Sequence, residues 1–314
     1  MILSSINKAD LHCFKTRKTD LVVCASGYES RASSLADFFR DFESIKTVFG
    51  FKEHKDEGSR PANDKKFKEC GFSYSELSGN SSFEFSVLMQ QLFKDINAAS
   101  CNLIIDISSM TRAWYGSLIN TLWSETRYEK VNASFIYVPA VFPKTHPEYP
   151  PNEIVAPVKG FAGLSLSDKP TARVVGLGQD EGRAIGLKES IDPHLTIAFY
   201  TSPSTDRRYY NSMMRANKDF LESIPNEGKF AYPILDTIST YNILESVCTG
   251  LVKNFRVVLA SLGPKIFGLY CFLIASRYPE ISVWRISAGQ RGNVEDHKAS
   301  KHQIILDTTW SLIV

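Results

Sequence analysis

Two short segments of this 314-residue chain place hydroxyl, carboxylate and guanidinium groups directly after an apolar run. Residues 27–31 (GYESR) follow the run LVVCA, and residues 106–112 (DISSMTR) follow the run LII. Where a strand passes into a helix, backbone N–H groups attract an anion and an Arg can add a forked cation. Hydroxyl groups at the same turn suit a phosphate or a ribose. The segments therefore predict a set of ligand-binding residues: Gly27, Glu29, Arg31, Ser108, Ser109, Thr111 and Arg112.

The same residues also suit two other roles. Ser108, Ser109 or Thr111 could cap a helix, which stabilises the helix by about 0.5–2 kcal/mol. Glu29 in a first helical turn would favour the helix dipole. In an enzyme, Asp106 and Glu29 would be the candidate catalytic acid and base. Ligand binding, catalysis and capping thus stay open at these positions.

Both segments recur in the second half of the chain. Glu29 and Arg31 are matched by Glu181 and Arg183, a shift of 152 positions (181 minus 29). Residues 255–265 resemble 103–112 at the same shift, and a block beginning at residue 72 recurs at 230. A repeat on this scale indicates internal duplication. The second-half candidates for ligand binding are Glu181, Arg183, Ser261 and Lys265.

The two copies are not equivalent. Val258 stands where the first copy has Asp106, so two identical sites are not expected. Residues 78–82 and 236–240 follow the third strand of each copy, and their hydroxyl and carboxyl groups suit helix caps. Residues 203–210 contain two Arg beside two Tyr, which suits a solvated loop, a protein interface or nucleotide stacking.

The elements that must position these residues follow an alternating α/β pattern. Short β-branched runs without strict alternation, such as 21–25 and 103–107, are typical of strands that are covered on both faces. Tyr115, Leu118 and Leu122 recur at helical spacing after the second of these runs. Strands that alternate with helices predict mostly parallel sheets. The predicted fold class is therefore α/β, with two tandem Rossmann-like αβα sandwiches related by internal duplication.

Proline content predicts the boundary between the two sandwiches. Residues 139–170 hold seven of the fourteen prolines, and proline at this density cannot continue a helix or a central strand. We therefore predict a first domain at 1–138, a proline-rich linker at 139–170 with one short strand or hairpin near 153–158, and a second domain at 171–314.

Composition excludes several classes of protein. Hydrophobic residues make up 43% and charged residues 22%, as in ordinary globular chains, and the net charge of +2 gives no strong case for duplex DNA or an anionic membrane. The longest apolar run, 266–275, is too short for a membrane span and predicts a buried helix. With no secretory signal pattern and no CxxC pair, we expect a cytoplasmic protein with reduced cysteines.

Several catalytic and cofactor motifs are also missing from the sequence. It has no GxxxxGK[ST] phosphate loop, GxGxxG fingerprint, GxSxG elbow or HExxH helix. The six histidines are dispersed, so we expect no metal site. The sequence does not identify a cofactor.

The turn after the fourth strand of each copy resembles that of the CARF domain, the nucleotide-sensing module of prokaryotic antiviral proteins. The matching residues are 108–112 (SSMTR) and 261–265 (SLGPK), which stand where that family usually has a Gly-Gly-Thr-Lys type turn. Two fused units are similar to the SAVED arrangement, which implies binding of cyclic oligonucleotides across a two-unit groove. The Ser-Ser pair departs from the family pattern, and no appended effector domain is recognisable.

These observations favour a sensor or regulatory protein that binds a nucleotide or another phosphorylated ligand. In this hypothesis Arg31, Arg112, Arg183 and Lys265 neutralise phosphates, and a partner protein carries any effector activity. One alternative is an enzyme that acts on a nucleotide or sugar phosphate. Another is a non-catalytic interaction subunit of a defence complex.

Overall fold

The polypeptide forms two units, one made of Met1–Thr145 with Val294–Val314 and the other of His146–Asn293. The computed structural model describes residues 1–143, 154–165, 168–287 and 295–312. The strands are β1 (Ile2–Lys8), β2 (Leu21–Ser26), β3 (Ile45–Phe51), β4 (Ser73–Leu77), β5 (Ser100–Asp106), β6 (Lys130–Tyr137), β7 (Ile154–Pro157), β8 (Thr171–Gly176), β9 (Leu195–Thr201), β10 (Lys229–Tyr232), β11 (Arg256–Ser261), β12 (Ser282–Ser287) and β13 (Ile304–Ser311). The α-helices are α1 (Arg60–Glu69), α2 (Ser82–Lys94), α3 (Arg112–Ser124), α4 (Arg183–Ile191), α5 (Arg207–Ala216), α6 (Lys218–Glu222), α7 (Thr237–Leu251) and α8 (Lys265–Arg277).

The sheet of the first unit has seven strands in the order β1-β13-β6-β5-β2-β3-β4. The five strands from β6 to β4 are mutually parallel, and β13 pairs antiparallel with both β6 and β1. All six residues of β2 are buried, as expected of a central strand with helices on both faces. On α3, the predicted apolar face is confirmed, because Tyr115, Leu118, Ile119 and Leu122 are fully buried.

The second unit repeats this order of strands. Its sheet runs β10-β9-β8-β11-β12-β7, so β8 to β12 take the places that β2 to β6 occupy in the first unit. In both sheets an antiparallel strand flanks the last parallel one. The predicted fold class is confirmed: the protein is α/β, with two mostly parallel sheets in a two-domain Rossmann-like arrangement. The shared strand order agrees with internal duplication.

Helix α8 contains the longest apolar run of the chain. Residues 266–275 are all buried, as the sequence predicted. Within the described part of the chain, no helix has both the length and the apolar character needed to cross a membrane.

The division of the chain differs from the predicted boundaries at two places: the second unit begins at residue 146, within the predicted linker, and it ends at residue 293. Residues 294–314 belong to the first unit, because β13 pairs with β6 along its whole length, whereas we predicted that the second domain ends at 314. Within the predicted linker, β7 pairs antiparallel with β12, and this strand lies where one was expected. The proline-rich residues 144–153 are outside the described residues.

Candidate functional site

Each sheet has a point at which the strand order reverses. The reversal falls between β2 and β5 in the first unit and between β8 and β11 in the second. In open parallel sheets, ligands bind beyond the carboxyl ends of the strands at this point. In the first unit, the loops after β2 and β5 contain the residues that the sequence singled out, and in the second unit the loops after β8 and β11 do so.

The loop after β2 uses its charged side chains to bond to neighbouring segments of the same unit. The Arg31 guanidinium is buried, and its Nε donates to the Glu29 carboxylate at 2.5 Å. A second nitrogen donates to the carbonyl oxygen of Val138 at 3.1 Å. Burial disfavours the charge of Arg31, but Glu29 and the Tyr137 hydroxyl together outweigh burial, and the pKa of Arg31 is raised. Arg31 therefore lies against the end of β6 in this structure, with its charge balanced inside the protein.

Asn63 of α1 fixes the backbone of this loop. Its side-chain amide donates to the carbonyl oxygens of Gly27 at 2.9 Å and Glu29 at 2.8 Å. Its own oxygen accepts a hydrogen bond from the Ser33 hydroxyl at 2.7 Å. Asn63 was not among the predicted site residues, because nothing in the segment 60–69 marks one polar residue as buried.

Three of the predicted residues after β5 hold the turn itself. The Asp106 carboxylate is buried and accepts a hydrogen bond from the Ser108 N–H at 2.9 Å. The Ser108 hydroxyl accepts one from the Val138 N–H at 2.8 Å. Thr111 is the N-cap of α3 and accepts from the Trp114 N–H at 3.3 Å. Capping, which the sequence left open, is confirmed at Thr111.

Ser109 differs from these neighbours. Its hydroxyl oxygen is buried, and it has no hydrogen-bond partner. It lies close to the loop after β2, since a Cβ placed on Gly27 would be 3.7 Å from the Ser109 Cβ. A buried hydroxyl without a partner costs about 1–3 kcal/mol, which a ligand that bonds to it would recover. Arg112 follows nearby as the first residue of α3.

Aromatic residues lie where the loops after β2 and β5 approach each other, a place we call the crevice. The Phe51 ring stacks on Trp114 with ring centres 4.4 Å apart, and a Cβ on Gly27 would lie 3.5 Å from Phe51. Hydrogen bonds to Glu53 hold the loop after β4 beside these rings: the Ser78 hydroxyl donates at 2.5 Å and the Gly79 N–H at 3.1 Å. Burial acts to raise the pKa of Glu53, but these two hydrogen bonds, together with the Glu53 backbone N–H and the nearby His54, outweigh burial and lower the pKa.

The Thr111 hydroxyl also reaches the loop after β4 and donates to the Gly79 carbonyl oxygen at 2.7 Å. A Cβ placed on Gly79 would lie 3.2 Å from the Phe51 ring. The loops after β2, β4 and β5 therefore meet around Phe51 at the carboxyl edge of the first sheet. Of the predicted residues, the structure brings Gly27, Ser109 and Thr111 to this crevice.

The corresponding loops of the second unit pack backbone against backbone. A Cβ on Gly178 would lie 2.1 Å from the Leu262 carbonyl oxygen, and one on Gly263 would lie 2.2 Å from the Leu177 carbonyl oxygen. The space that remains beside Gly27 in the first unit is therefore filled here by the chain itself. The Ser261 hydroxyl is buried without a hydrogen-bond partner, as at the matching Ser109.

The predicted charges of the second unit occupy different positions from those of the first. Arg183 forms an ion pair with Asp180 at 2.7 Å, whereas Glu181 is exposed. Asp180 is therefore the structural counterpart of Glu29, because each carboxylate pairs with the Arg of its loop. The shift of 152 positions had instead matched Glu29 with the adjacent Glu181. Lys265 is the first residue of α8. Among the residues that the structure describes, no cluster of His, Cys, Asp and Glu is placed to hold a metal ion.

The fold defines a Rossmann-like α/β protein of two units, and the reversal point of the first unit is less tightly packed at its glycine than that of the second. No family model matches the chain, and no curated protein matches it. One solved structure, the cytoplasmic domain of a prokaryotic cation chloride cotransporter, covers 88% of this chain and 98% of its own at 12% identity. The TM-score is 0.27, at which the likeness carries no argument about fold or function.

Proposed function

We propose that the first unit binds a nucleotide or another phosphorylated small molecule in the crevice between the loops after β2 and β5. The protein would be a cytoplasmic sensor or regulatory protein whose partner carries any effector activity. The resemblance of residues 108–112 to the CARF turn supports a role in prokaryotic antiviral defence.

The observation that carries this proposal is the Ser109 hydroxyl. Its neighbours Asp106, Ser108 and Thr111 all form hydrogen bonds that shape the turn, whereas the Ser109 oxygen is buried without one. It lies at the strand-order reversal, where parallel sheets bind ligands, and beside a glycine that leaves room. A phosphate or ribose oxygen would supply the missing partner.

A sensor is favoured over an enzyme by what the two acid–base candidates do. Asp106 is buried and accepts the Ser108 N–H, and Glu29 is paired with Arg31. Both carboxylates thus support the loops. The enzyme alternative would be revived by product formation that Asp106→Asn abolishes.

Replacing Ser109 with alanine is expected to weaken ligand binding by about tenfold or more, because a hydrogen bond to a charged group contributes about 1.5–3 kcal/mol. Isothermal titration calorimetry with ATP, ADP, AMP and ribose 5-phosphate measures the effect, alongside an assay for turnover of each compound. The matched control is Ser261→Ala, which removes the equivalent hydroxyl of the second unit and is expected to leave the Kd unchanged.

Both serine variants are expected to fold with free energies of unfolding within about 1 kcal/mol of the parent, because each removes a hydroxyl that has no partner to lose. A difference in binding between them therefore reports the site. If the parent binds none of the four compounds, or if Ser109→Ala binds as tightly as the parent, the proposal is wrong.

A further inference from the structure

Residues 295–300 lie at the carboxyl edge of the first sheet, and one end of this segment is bonded to the residues that follow β6. Ala299 forms an antiparallel bridge with Ala140. The Val141 N–H donates to the Lys298 carbonyl oxygen at 2.8 Å, and the Ser300 N–H donates to the Pro139 carbonyl oxygen at 2.9 Å. This end is therefore held by backbone pairing.

The other end is bonded to the loop after β2. The Asp296 carboxylate accepts the Ser30 N–H at 2.6 Å, and the His297 carbonyl oxygen accepts the Arg31 N–H at 3.3 Å. The His297 ring lies with Nδ1 3.2 Å from the Glu29 carboxylate. Backbone and side-chain groups of the loop are thus both engaged.

The order of strands shows what lies between the two ends. In the sheet, β5 separates β6 from β2, so the segment spans the carboxyl end of β5. Neighbouring strands are about 4.8 Å apart, so β6 and β2 are about 10 Å apart, a distance that five extended residues cover. The loop after β5 contains Ser109, the residue on which the proposed ligand site depends.

We infer that residues 295–300 form a latch that must release Glu29 and Ser30 before a phosphorylated ligand can contact the loop after β2. This inference rests on the proposed function and names the regulation of the same site. Asp296 already provides an anion to the Ser30 N–H, and a phosphate that approached this N–H would compete with it. Binding of the ligand and closure of the latch therefore oppose each other.

Protonation adds to this competition. The hydrogen bond to Glu29 raises the pKa of His297, against burial and the nearby Arg31 charge, and the Glu295 carbonyl oxygen also accepts from the ring. The closed latch thus binds a proton more tightly than the open one. Its extra stability is present at pH values below the ordinary His pKa of about 6.5 and is lost as pH rises through the raised value. We expect ligand binding to strengthen over the same interval.

Hydrogen exchange in the parent protein tests the latch without any ligand. Between pH 6 and pH 8.5, protection of the Ser30 and Arg31 amides, corrected for intrinsic exchange, is expected to fall severalfold, while the amides of β5 keep theirs. Asp296→Ala and His297→Gln are expected to lower the same protection at pH 6. Lys298→Ala is the matched control, because Lys298 bonds to the loop after β6 through its backbone carbonyl oxygen, which the substitution keeps. Unchanged protection in both latch variants overturns the inference.

Calorimetry with ADP separates the latch from the proposed function. If both hold, the two latch variants bind ADP about threefold to tenfold more tightly than the parent at pH 6, and Lys298→Ala binds like the parent. If protection falls in the variants but no protein binds ADP or the other three compounds, the proposed function fails and the latch does not control a ligand. If all proteins bind ADP with one Kd at both pH values, the latch inference is wrong and the proposed function stands.

Discussion

Replacing Arg60 with alanine is expected to lower the free energy of unfolding of the first unit by about 3–5 kcal/mol, because it breaks a buried ion pair and leaves its partners behind. Arg60 is fully buried at the start of α1. Its guanidinium donates to Asp64 at 2.8 Å, to the Phe51 carbonyl oxygen at 2.7 Å and to the Tyr74 hydroxyl at 2.5 Å. One side chain therefore ties α1 to β3 and β4.

Tyr74 and Asp64 depend on the Arg60 guanidinium, and the fold leaves space for it. Burial raises the pKa of Tyr74 to about 12, so this hydroxyl stays protonated and donates to Asp64 at 3.0 Å. Gly50 leaves the space for the group, since a Cβ there would lie 2.2 Å from an Arg60 nitrogen and 2.3 Å from the Tyr74 oxygen. Removal of the guanidinium would leave a cavity and a carboxylate that has lost its cation.

Urea unfolding, monitored by hydrogen exchange of the β3 and β4 amides, measures the free energy of unfolding of the first unit specifically. Arg40→Ala is the matched control, because its ion pair with Asp37 is exposed and such pairs contribute about 0–1 kcal/mol. The loss of unfolding free energy for Arg60→Lys is expected to fall between those of Arg60→Ala and Arg40→Ala, since lysine keeps the positive charge but lacks the several N–H donors of the guanidinium. Equal losses for Arg60→Ala and Arg40→Ala would contradict the role assigned to this network.

The central strands of both sheets were predictable because burial on both faces leaves a run of apolar residues, as at 21–25. The outer strands β1 and β13 were not predicted. In β1 only Leu3 is buried and Ile6 is half-buried, which is a weaker signal than a continuous apolar run. Strand β13 pairs with a strand that ends over 160 residues earlier in the chain. No local pattern records a pairing at that distance.

The loops of the candidate site could be predicted from the strand–helix transitions, but the partners of their side chains could not. Arg31 was expected to face a phosphate, and its actual partners include Val138, which the fold brings to it. His297 joins Glu29 only because β13 returns to the first sheet. Which of Asp180 and Glu181 would pair with Arg183 depended on a turn geometry that spacing alone does not give.

The difference between the two reversal points predicts opposite results for one substitution made at equivalent glycines. Gly178→Ala is expected to lower the free energy of unfolding of the second unit by about 3 kcal/mol, because its Cβ would lie 2.1 Å from the Leu262 carbonyl oxygen and backbone cannot move aside cheaply. Gly27→Ala is expected to change the free energy of unfolding of the first unit by less than about 1 kcal/mol, since the nearest atom to the new Cβ would be 3.5 Å away. Neither glycine has a positive φ, so packing alone separates the two outcomes.

Hydrogen exchange of the β8 and β11 amides measures the effect of Gly178→Ala on the second unit. Exchange of the β2 and β5 amides measures the effect of Gly27→Ala on the first unit. Gly27→Ala carries a further expectation, because its methyl group would lie 3.7 Å from the Ser109 Cβ in the proposed ligand crevice. A stable Gly27→Ala protein that has lost affinity for the compound bound by the parent would place the ligand at this glycine. A Gly178→Ala protein as stable as its parent would show that the loops after β8 and β11 separate readily, and the asymmetry on which the choice of the first unit depends would then be lost.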